Sequence, residues 1–318
     1  MIDPGRRAPG RRHVFLAAAA LIVGSPVLTA CSTSSDPGTT TGGAVIRVVA
    51  AENEYGNVAG QIGGRYVNVT SVESNPNTDP HTFEVSPGVA QAVSAADVVI
   101  QNGVGYDEFM SKIESASPNP KRRVITVQHL LGLPDSTPNP HLWYSPKTMP
   151  AVANAMAANF AALRPTHARY FRAQAAAFVR SLRPWLAAIA RFKATYPGTA
   201  VATTEPVADY MLQAAGTNNL TPFQLQADIM NGVDPPPQDL SVQTGLFTDH
   251  KVKVFVYNQQ VTDSLTESFI TAAKKAGIPI IGVYETMPVP GYDYQSWMLA
   301  EVRALQRAVS DKVSTVKL

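Results

Sequence analysis

Two of the six histidines share a setting. Asp79-Pro80-His81 and Asn139-Pro140-His141 each put a histidine directly after a proline. Each has an aromatic residue two positions on, Phe83 and Trp143, and then a Ser-Pro pair, Ser86-Pro87 and Ser145-Pro146. Proline fixes its own φ and so limits where the next imidazole can point. Two carboxylates hold comparable places in the second half. Glu205 follows a strand-like run and precedes Pro206, and Glu285 follows another just ahead of a proline-containing loop. Two neutral imidazoles with two carboxylates neutralise a divalent cation, which makes its burial tolerable. The expected chemistry is therefore metal ligation by His81, His141, Glu205 and Glu285. Asp79 and Asp293 are the other acids that could offer an oxygen. His129, His167 and His250 lack the prolyl setting and read as surface or hydrogen-bonded residues.

The elements around these residues alternate. Strand-like runs cover residues 44–50, 66–72, 97–101 and 123–127, with helical stretches at 57–62 and 87–95, the latter opened by Pro87 in its first turn. Residues 147–163 are alanine-rich and helical. A second helical stretch at 166–194 carries Phe171, Phe178, Leu182, Trp185 and Ile189 at spacings of three, four or seven, with a kink expected at Pro184. Strands then return at 199–203, 253–257 and 278–283, with helices at 206–215, 237–247, 262–276 and 293–313. This pattern predicts an α/β fold of two lobes with mostly parallel sheets, joined by a single long helix. The expected boundaries are 44–165 for the N-terminal lobe, 166–195 for the linking helix and 196–318 for the C-terminal lobe. In such sheets the loops leaving strand ends face the ligand crevice. All four candidate ligands occupy such loops, two from each half, which places the metal between the lobes.

Residues 1–30 read as a signal peptide. Arg6, Arg7, Arg11 and Arg12 precede an uncharged apolar run from Val14 to Leu28, shorter than the ~20 residues a bilayer span needs. The run ends in Leu28-Thr29-Ala30-Cys31, which resembles a bacterial lipobox, and Cys31 is the only cysteine. Acylation of Cys31 and a flexible Ser/Thr/Gly/Pro tether over 31–43 are expected. A single cysteine excludes an intrachain disulfide. Lys+Arg 26 against Asp+Glu 24 leaves no basic stripe for nucleic acid.

The segment Asn77 to Pro87, then Ala95-Ala96-Asp97-Val98-Val99 and Asn102-Gly103, resembles the first lobe of the metal-specific solute-binding lipoproteins of zinc and manganese ABC importers. Asn139-Pro140-His141-Leu142-Trp143 is similar to that family's second histidine motif, and Asp239-Leu240 and Lys253 to Tyr257 fit its second lobe. The resemblance implies a non-enzymatic, extracytoplasmic, lipid-anchored receptor. It would act as a monomer on one divalent ion as cargo, Zn²⁺ or Mn²⁺ ahead of Fe²⁺, and deliver it to permease and ATPase subunits. It places Glu205 where the family has His or Glu, and Glu285 where it usually has Asp. The family's Gly-x-x-Glu-x-Trp segment appears as Gly105-Tyr106-Asp107-Glu108-Phe109, and its histidine-rich loop is absent.

Two other classes use similar residues: a surface adhesin with a structural metal, and a metallohydrolase. A catalytic zinc keeps one position open for water, whereas four ligands from two lobes leave little room for substrate. On the choice of metal, two glutamates able to chelate through both oxygens lean toward manganese, because zinc is usually four-coordinate.

Overall fold

The computed structural model describes residues 45–318. The expected signal peptide, the tether and Cys31 lie outside the described residues. The first half runs β1 (Ile46–Glu52), α1 (Asn53–Gly63), β2 (Val67–Glu73), α2 (Pro87–Ala95), β3 (Val98–Gln101), α3 (Glu108–Ala116), β4 (Arg123–Thr126), α4 (Val127–Leu130) and α5 (Thr148–Leu163). The linking segment is α6 (Ala168–Ser181) and α7 (Arg183–Thr195). The second half follows with β5 (Ala200–Thr203), α8 (Asp209–Ala214), β6 (Asn218–Asn219) and α9 (Phe223–Met230). It closes with α10 (Pro237–Thr248), β7 (Val254–Asn258), α11 (Ser264–Lys275), β8 (Ile280–Val283) and α12 (Tyr294–Ser310).

Each half holds one parallel four-stranded sheet, in the orders β2-β1-β3-β4 and β6-β5-β7-β8. The two sheets repeat one topology although the sequence shows no repeat. The register sets Val48 beside Val69 and Val98 in the first sheet, and Val256 beside Ile281 in the second. Strands β3, β7 and β8 are buried along their whole length, as their unbroken apolar runs require in a sheet covered on both faces.

The linking segment bends where the proline demands it. Helix α6 ends at Ser181, Leu182 intervenes, and α7 begins with Pro184 in its first turn. There the missing N–H of proline leaves no helical bond unmade. Helix α6 packs on α1 and α5, while α7 packs on α8 and α12, so the bent strut serves both halves. One apolar core runs through it from Ile46 to Leu305 and includes fully buried Trp143, Trp185 and Trp297. Removing an aromatic side chain from such a core costs about 3–5 kcal/mol.

The helix expected over 206–215 begins later, at Asp209. The carbonyl of Pro206 accepts from Asp209 N and from Asn139 Nδ2, which makes residues 206–208 a turn tied to the other lobe. Three helices and one strand carry no clear sequence signal: α3, α4, α9 and the two-residue β6.

Candidate metal centre

His141 is the most constrained of the candidate residues. It follows β4 and α4, and the amide of Asn139 folds back over it. Asn139 Nδ2 donates to Pro206 O at 2.7 Å, which turns its Oδ1 toward the histidine. That oxygen accepts from His141 N at 3.0 Å and from His141 Nδ1 at 2.8 Å. Nδ1 therefore carries the hydrogen, and Nε2 is the nitrogen presented to the cleft. Asn102 Nδ2 donates to Pro140 O at 2.7 Å, and Tyr55 OH to Asn102 Oδ1 at 2.7 Å. The turn beyond Asn102 needs Gly103, which sits at φ 84° with Gln128 too close to admit a side chain. The ring of His141 meets Tyr106 and Trp143 edge-on and has no exposed side-chain surface.

His81 has the same local turn in a looser place. Asp79 Oδ1 accepts from His81 N at 2.8 Å, as Asn139 does for His141. The tripeptide D/N-Pro-His is thus an Asx turn that orients the histidine backbone. The His81 side chain remains 25% exposed, at the mouth of the cleft.

Glu285 lies between the two imidazoles. Its Oε2 is 3.1 Å from His141 Nε2 and 3.2 Å from His81 Nε2, and it accepts from Tyr106 OH at 2.9 Å. Its Oε1 accepts from Asn258 Nδ2 at 2.6 Å. The backbone is held as firmly, because Gln260 Oε1 accepts from Glu285 N and Thr286 N, each at 2.7 Å. Asn53, from the other lobe, clamps Met287 through both its backbone N–H and its carbonyl, at 2.9 Å each. Asn258 Nδ2 also donates to Glu205 Oε1 at 3.1 Å. The second oxygen of Glu205 is buried without a hydrogen-bond partner.

One nitrogen from each histidine and one oxygen of Glu285 lie within 4.8 Å of one another, the one group among the described residues that could hold a metal ion. Bonds of 2.0–2.2 Å to a tetrahedral zinc imply donor separations of about 3.3–3.5 Å. The two nitrogen–oxygen separations here are 3.1 and 3.2 Å, so a cation could enter with small shifts. Glu205 stands one amide away from this trio. An orphaned carboxylate oxygen in a buried position is costly, and a cation would satisfy it.

The electrostatics agree. Burial alone would raise the Glu285 carboxyl, but the His141 and His81 imidazoles beside it prevail and hold it far below the usual carboxylate range. Burial draws the His81 imidazole down, and the hydrogen bond and charge of Glu285 more than reverse that, so it is raised overall. Burial lowers His141. Burial and then the charge of Glu285 push the Glu205 carboxyl well up. Behind the site, Glu52 and Glu54 are raised by burial. Glu73 is pushed up to about 9, by burial and then by the charges of Glu54 and Asp107. Glu285 and, at His81, Asp79 are the acids whose charges act on the two histidines.

All four expected residues adjoin the cleft, three as one group and Glu205 through Asn258. Asp293 caps α12, with its side chain accepting from Ser296 N, and Asp79 orients the His81 turn. His129 and His250 are exposed, and His167 stacks on Tyr66 with ring centroids 4.1 Å apart. Sequence reasoning missed Asn258 and Gln260, and it quoted Tyr106 and Asn139 without a role. For Asn139 a signal existed, since an Asx residue two before the histidine stands in both motifs.

Residues 48–308 match the family described as the periplasmic zinc-uptake complex component A. The manganese-binding lipoprotein MntA of Bacillus subtilis is 27% identical over 176 residues, 52% of this chain and 55% of that protein. Its counterpart in Halalkalibacterium halodurans is 28% identical over 152 residues, 47% of this chain and 50% of that protein. This chain thus spans about half the length of the curated relatives it matches. Among solved structures, the periplasmic zinc-binding protein TroA from Treponema pallidum is similar with a TM-score of 0.71 at 17% identity, covering 85% of this chain and 100% of that one. The solute-binding protein FpvC from Pseudomonas aeruginosa, solved with Mn²⁺, gives 0.69 at 20% identity over the same shares. These two likenesses establish the fold: two α/β lobes with parallel sheets and a long bent helix between them.

Proposed function

This chain belongs to the family of periplasmic zinc-uptake components, and on that premise we propose that it captures one divalent transition-metal ion outside the membrane and hands it to an ABC importer. The family is one of transport receptors and not of enzymes. The observation that carries the reading is the convergence of His81, His141 and Glu285 between the lobes, with an orphaned oxygen of Glu205 beside them. In this reading His81 Nε2, His141 Nε2, Glu285 Oε2 and Glu205 Oε2 hold the ion. Binding competes with protons at His81 and Glu205, both of which are raised in the free site. The names of the relatives speak for zinc or manganese as cargo, with Fe²⁺ behind them.

The surrounding assembly follows from the same reading. Acylation at Cys31 anchors the chain, the 31–43 tether gives it reach, and it works as a monomer with permease and ATPase subunits as partners. No helix among the described residues is long and apolar enough to cross a membrane. A hydrolytic centre needs a coordination position for water, and here four protein donors leave none. An adhesin would share the anchor and the fold, and a transport assay separates it from a receptor.

The test is metal analysis of protein purified without chelator or added metal. It should show one transition-metal ion per chain, lost in His141→Ala and kept in His250→Ala. Metal-free protein that takes up neither zinc nor manganese would refute the proposal.

A further inference from the structure

Asn258 touches both carboxylates, and its geometry bears on which ion the cleft selects. Its backbone N–H donates to Thr204 Oγ1 at 3.0 Å, and its Oδ1 accepts from Gln260 N at 3.0 Å. The amide orientation is thereby settled, since a flip would set its carbonyl against two carboxylates. The two hydrogens of Nδ2 go one to each acid: Glu205 Oε1 at 3.1 Å and Glu285 Oε1 at 2.6 Å. Asn258 is buried, 1% exposed, so water cannot replace it at these oxygens.

We infer that Asn258 restricts each glutamate to a single oxygen toward the ion, and that the cleft is thereby a four-coordinate site that selects zinc over manganese. This rests on the proposal that the cleft binds a transition metal. Asn258 engages one oxygen of each acid; the other oxygen of Glu285 also accepts from Tyr106 OH at 2.9 Å, and that of Glu205 accepts from no donor. On Glu285 the remaining oxygen faces both imidazoles, and on Glu205 it is the orphan. With the two imidazole nitrogens that makes four donors, the number zinc takes in closed protein sites. Manganese favours six mostly oxygen ligands. To reach that number with protein donors, a glutamate would have to chelate, and the hydrogen bond from Asn258 opposes the turn of the carboxylate that would bring its held oxygen to the ion. The potential for chelation that the sequence suggests is therefore withdrawn by a neighbour 53 residues from Glu205 and 27 from Glu285 in the chain.

Co²⁺ serves as the coordination probe, because four-coordinate cobalt absorbs visible light far more strongly than six-coordinate cobalt. The wild-type protein loaded with Co²⁺ should give the intense four-coordinate spectrum. Asn258→Ala and Asn258→Leu should weaken it. In competition titrations they should also lower the zinc-over-manganese preference by about tenfold, the scale of one buried charge-assisted hydrogen bond. A weak, six-coordinate spectrum in the wild type overturns the inference, whether or not either variant folds. So do folded variants that keep both the spectrum and the preference, or that bind neither metal, since Asn258 would then be holding the site together without limiting it. A wild-type protein that binds metal while the preference stays put in the variants defeats this inference alone. One that binds no metal defeats the receptor reading as well.

Discussion

The two histidine loops use the same tripeptide and end in different situations. Both turns are set by an Asx side chain that accepts from the histidine N–H, at 2.8 Å for Asp79 and 3.0 Å for Asn139. At His141 the amide goes further, because Asn139 also holds the ring nitrogen and is itself tied to Pro206 in the other lobe. At His81 the ring has Glu285 as its polar partner and keeps 25% of its side chain in solvent. In the proposed reading the same local code yields one prebuilt ligand, His141, and one partly exposed ligand, His81. A preorganised donor contributes to affinity because its ordering is not charged to the binding step. A donor at the mouth governs entry and exit.

The sharpest way to break this comparison is to delete each ring. His141→Ala should weaken zinc binding by well over the ~100-fold that marks the upper end for outer-shell partners, measured by competition with a chromophoric chelator. No water can readily take the place of a buried nitrogen. His81→Ala should weaken binding less, because solvent at the mouth can fill the empty position, and its loss should appear as faster release in stopped-flow measurements. Equal losses with equal release rates would show that the two loops do the same job. His129→Ala, on an exposed position of α4, should leave both quantities unchanged.

Much of this was legible in the sequence, for a physical reason. Proline after an Asx residue acts locally, so the two histidine turns are written within three residues each. The alternation of apolar runs likewise gave the parallel sheets, and Pro184 gave the bend at Leu182. What stayed hidden depends on distant chain segments. Tyr106 reaches Glu285 from the loop before α3, and Asn258 and Gln260 from the end of β7 and the turn after it, and nothing near them in sequence marks that convergence. Nor could the sequence reveal that Glu205 stands apart from the other three, since the separation is made by the Asn258 amide. The two-residue β6 and the short α9 escaped because neither carries enough periodic positions to register.

Acidity distinguishes the free from the loaded site. In the free site His81 is raised above its ordinary value by Glu285, and Glu205 is raised by burial and by the same charge. Both must lose a proton to ligate. Affinity should therefore be greatest above their raised values and fall as pH drops through them, by about tenfold per unit for each proton displaced. His141, lowered by burial, contributes less to this slope than His81. Isothermal titration in two buffers of different ionisation enthalpy counts the protons released. His81→Ala should remove one of them, and a slope unchanged in that variant would locate the proton elsewhere.

The smallest effect isolates the one feature that separates the two loops. Asn139→Ala leaves the imidazole of His141 in place and removes the acceptor for its Nδ1–H and its backbone N–H, along with the tie to Pro206. Outer-shell partners of metal-bound histidines are worth about 10–100-fold in affinity. The low end applies here, because Tyr106 and Trp143 still pack against the ring. Asp79→Asn is the matching change in the other loop. It preserves an oxygen acceptor for His81 N and gives up the charge of that acceptor, which is about twofold in bond strength. The expected order is thus a loss of about tenfold for Asn139→Ala and a smaller one for Asp79→Asn. If Asn139→Ala binds zinc as tightly as the wild type, ring packing alone fixes His141. The contrast between the loops would then lie in burial and owe nothing to the amide.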